Sequence, residues 1–142
     1  MSKIISYNPA ALGGKLLEPV TLNGTTETVL VEIEDDKFLA QSQVSVYLEA
    51  ELNSSSEIEI RYYSSPDKGL TWYQIPTKDP SSGVLEDTPT VLDSTSPSEG
   101  SVIRIVEDIP VSAGHAFRVT AIADGDSAFA GINQCLVLFR DN

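Results

Sequence analysis

Val44-Ser45-Val46-Tyr47-Leu48-Glu49-Ala50-Glu51-Leu52 alternates without a break. Val44, Val46, Leu48, Ala50 and Leu52 leave one side of an extended chain, and Ser45, Tyr47, Glu49 and Glu51 leave the other. A strand with one buried and one wet face reads this way, because successive side chains point to opposite faces. Glu57-Ile58-Glu59-Ile60-Arg61-Tyr62 repeats the pattern after the turn Asn53-Ser54-Ser55-Ser56. Further strands are expected over 19–23, 27–34, 71–76, 101–106, 115–123 and 132–140, with a short one at Pro89-Thr90-Val91-Leu92. Turn signals separate them: Asn23-Gly24, Asp35-Asp36, Ser112-Ala113-Gly114 and Asp124-Gly125-Asp126. No stretch carries a helical stripe of three turns. About eight short strands at this spacing predict an all-β protein, an antiparallel β-sandwich or jelly roll.

The length of 142 residues predicts one domain over 18–142, and two segments leave the strand pattern. Residues 1–17 read as an extended N-terminal arm, with a break at Pro9, the pair Gly13-Gly14, and Ile4, Ile5, Leu12, Leu16 and Leu17 scattered through it. Residues 77–100 form a long Pro/Ser/Thr-rich loop, in which Pro80, Pro89 and Pro97 argue against a regular central strand. Loops this long in compact domains are usually functional or disordered.

Ser65-Pro66-Asp67-Lys68-Gly69-Leu70-Thr71-Trp72 spells S-x-D-x-G-x-T-W. Asp67 can accept backbone N–H groups across a turn, Gly69 supplies a positive φ, and Trp72 places a large ring under the loop. The motif resembles the Asp-box of bacterial-neuraminidase-repeat proteins over its full eight residues. The resemblance implies a structural turn between antiparallel strands, carried by Ser65, Asp67, Gly69, Thr71 and Trp72, and away from any catalytic centre. A propeller would need several blades of about 40 residues, so a single box in this length points to a lone hairpin.

The net charge is −12. That balance disfavours nucleic acid and anionic membranes, which select Lys and Arg, and favours solubility and a basic protein partner. The charge is uneven: Lys3 and Lys15 precede the first acid, Glu18. No apolar run approaches the roughly 18 residues of a membrane-spanning helix. The stretch from Met1 to Pro9 lacks the sustained apolar core of a cleaved signal peptide, so none is expected. The acceptor-like Asn23-Gly24-Thr25 and Asn53-Ser54-Ser55 carry little meaning without a secretory route.

Candidate chemistry is sparse. Cys135 is the one cysteine, and it lies in the apolar run 132–139, which reads as a small buried hydrophobe. His115 is the one histidine and reads as a strand-edge residue, so no histidine pair for a metal or relay exists in one chain. Asp124-Gly125-Asp126-Ser127 and Glu34-Asp35-Asp36 read as turns, since calcium demands six or more oxygens. There is no G-x-S-x-G, and Gly13-Gly14-Lys15 lacks phosphate-loop spacing. No catalytic residue, metal ligand or cofactor is expected, and the chain is expected not to be an enzyme. Tyr47, Tyr62, Tyr63, Trp72 and Tyr73 fall on adjacent strands. The simplest reading makes Tyr62 and Trp72 core and the other three surface partners.

This small, acidic, all-β composition with a loose arm resembles small structural proteins of tailed-phage virions, among them capsid decoration (cement) proteins and neck or tail components. The resemblance implies a homotrimer on a virion, assembled in the host cytoplasm, that binds the major capsid protein or another virion protein and stabilises the shell. Lys3, Ile4, Ile5, Leu12, Lys15, Leu16 and Leu17 are the expected partner-binding residues. The alternative is a carbohydrate- or receptor-binding β-sandwich module that uses Tyr63, Trp72 or Tyr73.

Overall fold

The pairing of strands distant in sequence builds the molecule. The computed structural model describes residues 12–22, 26–34, 43–52, 57–78, 85–86, 89–93, 98–99, 102–110, 116–124 and 130–139. Among them run β1 (Leu12–Lys15), β2 (Val20–Thr21), β3 (Thr28–Glu34), β4 (Gln43–Leu52), β5 (Glu57–Ser65), β6 (Tyr73–Gln74) and β7 (Thr77–Lys78). Then come β8 (Leu85–Glu86), β9 (Thr90–Leu92), β10 (Ser98–Glu99), β11 (Val102–Pro110), β12 (Ala116–Asp124) and β13 (Ala130–Phe139). No helix occurs among the described residues.

Every pairing is antiparallel, and together they trace one long ribbon rolled on itself. β1 and β2 pair with β13, β3 with β12, β4 with β11, and β5 with β6 and β9. Rolling the ribbon joins β13 to β4 in a six-stranded sheet and β12 to β5 in a five-stranded one. This nesting is the jelly roll, so the expected all-β sandwich is the observed architecture. Among the described residues eleven strand segments fill its two sheets rather than about eight, because several positions on the ribbon are taken by two- or three-residue pieces, and β7 pairs with β8 apart from them.

Alternation sorts the side chains. Val44, Val46, Leu48 and Ala50 of β4 are fully buried against Ile58, Ile60 and Tyr62 of β5 and Phe117 and Val119 of β12. Burying each such aliphatic side chain contributes about 1.5–3 kcal/mol. Tyr62 and Phe117 stack with centroids 6.2 Å apart. In β13 both Ile132 and Cys135 face inward, three positions apart. A β-bulge between Ile132 and Gln134 reconciles that with the period of two. The Cys135 thiol is pushed up to about 12 by burial.

Two segments expected to lie off the pattern contribute strands. Within residues 1–17, β1 is an edge strand of the six-stranded sheet, and Leu16 donates its N–H to the Cys135 carbonyl at 2.8 Å and packs on the core. Gly13 and Gly14 make this docking possible. A Cβ on Gly14 would stand 2.9 Å from Val31 Cγ1 and 3.0 Å from Ile33 Cγ1, and one on Gly13 would stand 2.6 Å from the Phe139 ring. Within 77–100, β7 pairs β8, β9 joins β5 as expected, and β10 pairs β11. Pro89 stands just before β9, where a missing N–H breaks no ladder bond, and Pro80 and Pro97 lie outside the described residues.

Gly14→Val is expected to destabilise the protein by about 1–3 kcal/mol in urea unfolding. Leu17→Ser, at a position 85% exposed, is expected to leave the midpoint in place. Equal midpoints for Gly14→Val and wild type would contradict the docking of β1. Cys135 is expected to resist a thiol reagent at pH 8 in the native protein and to react fully in urea; rapid native labelling would contradict its burial.

Candidate functional surfaces

β5 ends at Ser65, and the chain reverses through the Asp-box. Ser65 is fully buried and its hydroxyl organises the turn. It donates to Asp67 Oδ1 at 2.7 Å and accepts the Gly69 N–H at 2.8 Å, while the Thr71 N–H donates to the same Asp67 oxygen at 2.8 Å. The Ser65 hydroxyl first, and the Thr71 N–H second, hold the Asp67 carboxyl below its ordinary value. Lys68 and Gly69 take φ of 60° and 92°. A Cβ on Gly69 would also meet Glu34 Oε1 at 2.7 Å. The reversal sets Tyr73 and Gln74 opposite Ser64 and Tyr63, and Ile75 donates its N–H to the Tyr62 carbonyl at 2.8 Å.

Trp72 does not enter the core. It is half-buried, with the Arg118 guanidinium 4.1 Å from its ring centroid. Arg118 stands in the register row Glu32–Arg118–Tyr63 across β3, β12 and β5. Its Nε and Nη2 both donate to Glu32 Oε1, at 2.9 and 2.6 Å. One residue pair away, Tyr63 donates its hydroxyl to Glu27 Oε1 at 2.7 Å and Thr120 donates to the same oxygen at 2.8 Å. Partial burial alone would raise the Glu27 carboxyl, but these two hydroxyls, with the charges of Arg61 and Arg118, hold it below the ordinary value. Burial and the Glu27 carboxylate push the Tyr63 phenol up. The part of this outer face around Arg118 is thus polar, aromatic and internally braced, with Val29 and Val91 exposed beside it.

Between the sheets, Glu107 points inward from β11 and ties them together. It accepts the Tyr62 hydroxyl at 2.8 Å and the Thr90 hydroxyl at 3.0 Å. Burial, with the neighbouring Glu107 charge, pushes the Tyr62 phenol well above its ordinary value. An inward charge on a strand near a sheet edge also discourages a foreign strand from adding there.

The outer face of the six-stranded sheet differs. Three of its rows carry polar ties: Ser45 to Asp108 at 2.6 Å, Arg104 to Glu49 at 2.9 Å, and Asn133 to Glu51 at 3.0 Å. Between them runs an apolar row, Leu136–Tyr47–Val106 across β13, β4 and β11, with Lys15 of β1 opposite Leu136. Leu136 and Tyr47 are 5% and 8% exposed although they face outward, and Val106 is 53% exposed. Burial and the charge of Glu49 push the Tyr47 phenol up, against the opposing Arg104.

Of the expected partner-binding residues, Lys3, Ile4 and Ile5 lie outside the described residues. Leu12 and Lys15 belong to β1, Leu16 packs on the core of its own chain, and Leu17 is exposed. His115, Asp126 and the pair Asp35-Asp36 lie outside the described residues. Among the described residues no cluster of three His, Cys, Asp or Glu side chains could hold a metal ion. Sequence reasoning nominated Trp72 and Tyr63 but missed Glu27, Glu32, Arg118 and Thr120. The opposite charges at outward positions of Val31-Glu32-Ile33 and Phe117-Arg118-Val119 are the signal that could have found one pair.

No family model matches the chain, and no curated protein sequence matches it. Among solved structures the fold is similar to the CBM22-1 xylan-binding domain from Paenibacillus barcinonensis Xyn10C, with a TM-score of 0.44 and 5% identity over 88% of this chain and 87% of that one.

Gly69→Ala is expected to lower stability by about 1–2 kcal/mol, since it strains a left-handed residue against Glu34; an unchanged melting temperature would contradict the turn geometry. Glu27 has a depressed folded-state value, so its contribution is present above the unfolded value of about 4.3 and is lost as the pH falls through the folded one. Thr120→Val and Tyr63→Phe are therefore expected to flatten the loss of thermal stability below about pH 4.3. An acid slope identical to wild type in both would contradict the Glu27 network.

Proposed function

We propose that this chain is a non-catalytic structural protein of a virion, a decoration-type subunit that attaches through the outer face of its six-stranded sheet and the segment leading into β1. The apolar row Leu136–Tyr47–Val106 carries this reading. The outer face of an antiparallel sheet is normally wet and polar; here Tyr47 and Leu136 are covered within their own chain, and Val106, 53% exposed at the end of the row, is the apolar contact offered to a partner. β1 borders this face, with Leu12 paired to Leu138. Lys15 stands at the end of the row, and Lys3, Ile4 and Ile5, which precede β1 in the sequence, are the further contacts of this reading. The net charge of −12 keeps free copies apart and favours a partner with basic patches. The assembled form on the shell is a homotrimer in contact with the major capsid protein.

Removing residues 1–17 would take β1 with it and uncover Val31 and Ile33, so the informative deletion stops at residue 11. Deletion of 1–11 and Val106→Glu are each expected to weaken co-sedimentation with shells of the major capsid protein from the same genome by at least about tenfold. Light scattering on wild type with shell protein is expected to give trimer stoichiometry. Full binding by both variants would overturn the reading.

A further inference from the structure

The face opposite the apolar row has different chemistry. Tyr63, Arg118, Thr120 and Glu32 from three strands, Glu27 just before β3, and Trp72 of the Asp-box hairpin come to one outward surface, and each polar group is held in place by another. In both carboxylates the bonds fall on Oε1: two hydroxyls on Glu27 and two guanidinium N–H groups on Glu32. Among the described residues Oε2 of each accepts nothing. These two oriented carboxylate oxygens thus have no donor among the described residues, and they stand beside a half-buried indole and a phenol.

We infer that this face is a binding site for a neutral oligosaccharide, with Glu27 and Glu32 accepting sugar hydroxyls and Trp72 and Tyr63 packing against the ring. The charges choose the ligand class. Glu27, Glu32, Glu34 and Glu59 border the face and repel an acidic glycan or a phosphate. Arg118, at its centre over Trp72, and Arg61, opposite Thr120 and paired with Glu59, repel a basic peptide. A neutral, hydroxyl-rich ligand meets both signs with hydrogen bonds, and charge-assisted bonds to carboxylates are the stronger kind. Aromatic rings supply apolar area while keeping a polar edge. The bracing of Arg118 by Glu32 and of Glu27 by Tyr63 and Thr120 means little order has to be imposed on binding. Tyr73 is not part of the site, because it pairs with Ser64 and so leaves the other side of the strand from Tyr63. The site lies on the sheet opposite the attachment face and does not depend on the attachment reading.

Trp72 is the only tryptophan, so its fluorescence reads this face alone. The probes are the neutral hexasaccharides of β-1,4-linked xylose, glucose, mannose and N-acetylglucosamine, with a heparin hexasaccharide and an octalysine peptide as charged comparisons. At least one neutral probe is expected to give a saturable change in Trp72 emission. Glu27→Gln and Glu32→Gln, which keep shape and remove charge, are each expected to weaken it by about fivefold or more. Val106→Glu, on the opposite sheet, is expected to bind as wild type. No saturable response to any neutral hexasaccharide at about 10 mM, where even weak millimolar binding would register, overturns the inference. So does a response to heparin or octalysine alone, or binding that survives both glutamate variants in folded protein.

Discussion

A strand in this molecule can dry only one of its two faces, and that constraint organises everything else. The inner faces of both sheets are consumed by the core, from Val44, Val46 and Leu48 on one side to Ile58, Ile60 and Phe117 on the other. Whatever the protein does to another molecule is left to outward side chains and to edges. The rolled ribbon decides which outward side chains meet, because it brings residues 27, 32, 63, 118 and 120 onto one surface and residues 15, 47, 106 and 136 onto another.

The two outer surfaces then diverge. On the five-stranded sheet one end of the outer face is charged and aromatic, braced through Arg118, Glu32, Glu27 and Tyr63, while Val29 and Val91 are exposed beside it. On the six-stranded sheet, polar ties at Ser45, Glu49 and Glu51 flank an apolar row at Tyr47. A subunit that sits on a surface by one face and presents the other would carry this division of chemistry. The Asp-box serves the second face: by closing β5 onto β6 through Ser65 and Asp67, it delivers Trp72 to Arg118.

Much of the fold was legible in the chain, because long strands such as β4 and β5 write their burial as a period of two. The pattern fails where geometry departs from that period. The bulge in β13 shifts Cys135 into phase with Ile132, and no local signal at Asn133 announces it. β1 reads as arm in the sequence because Gly13-Gly14 has no side chains to alternate; the two glycines match close packing on Val31, Ile33 and Phe139. Two-residue strands such as β7, β8 and β10 are too short to show any period. The surfaces were less legible than the fold. Trp72 and Tyr63 could be nominated as aromatic, but their partners Glu27, Glu32 and Arg118 come from strands paired across much of the chain, and only the register reveals them.

On the proposed attachment, the six-stranded sheet's outer face is covered in the assembled particle while the opposite face stays open. Hydroxyl-radical labelling of free and particle-bound protein, read by mass spectrometry, tests it most directly. Val106 and Leu138 are expected to lose most of their labelling on the particle, and Trp72 and Tyr63 to keep theirs. Labelling of Val106 that is the same free and bound, or protection confined to Trp72 and Tyr63, would contradict the account.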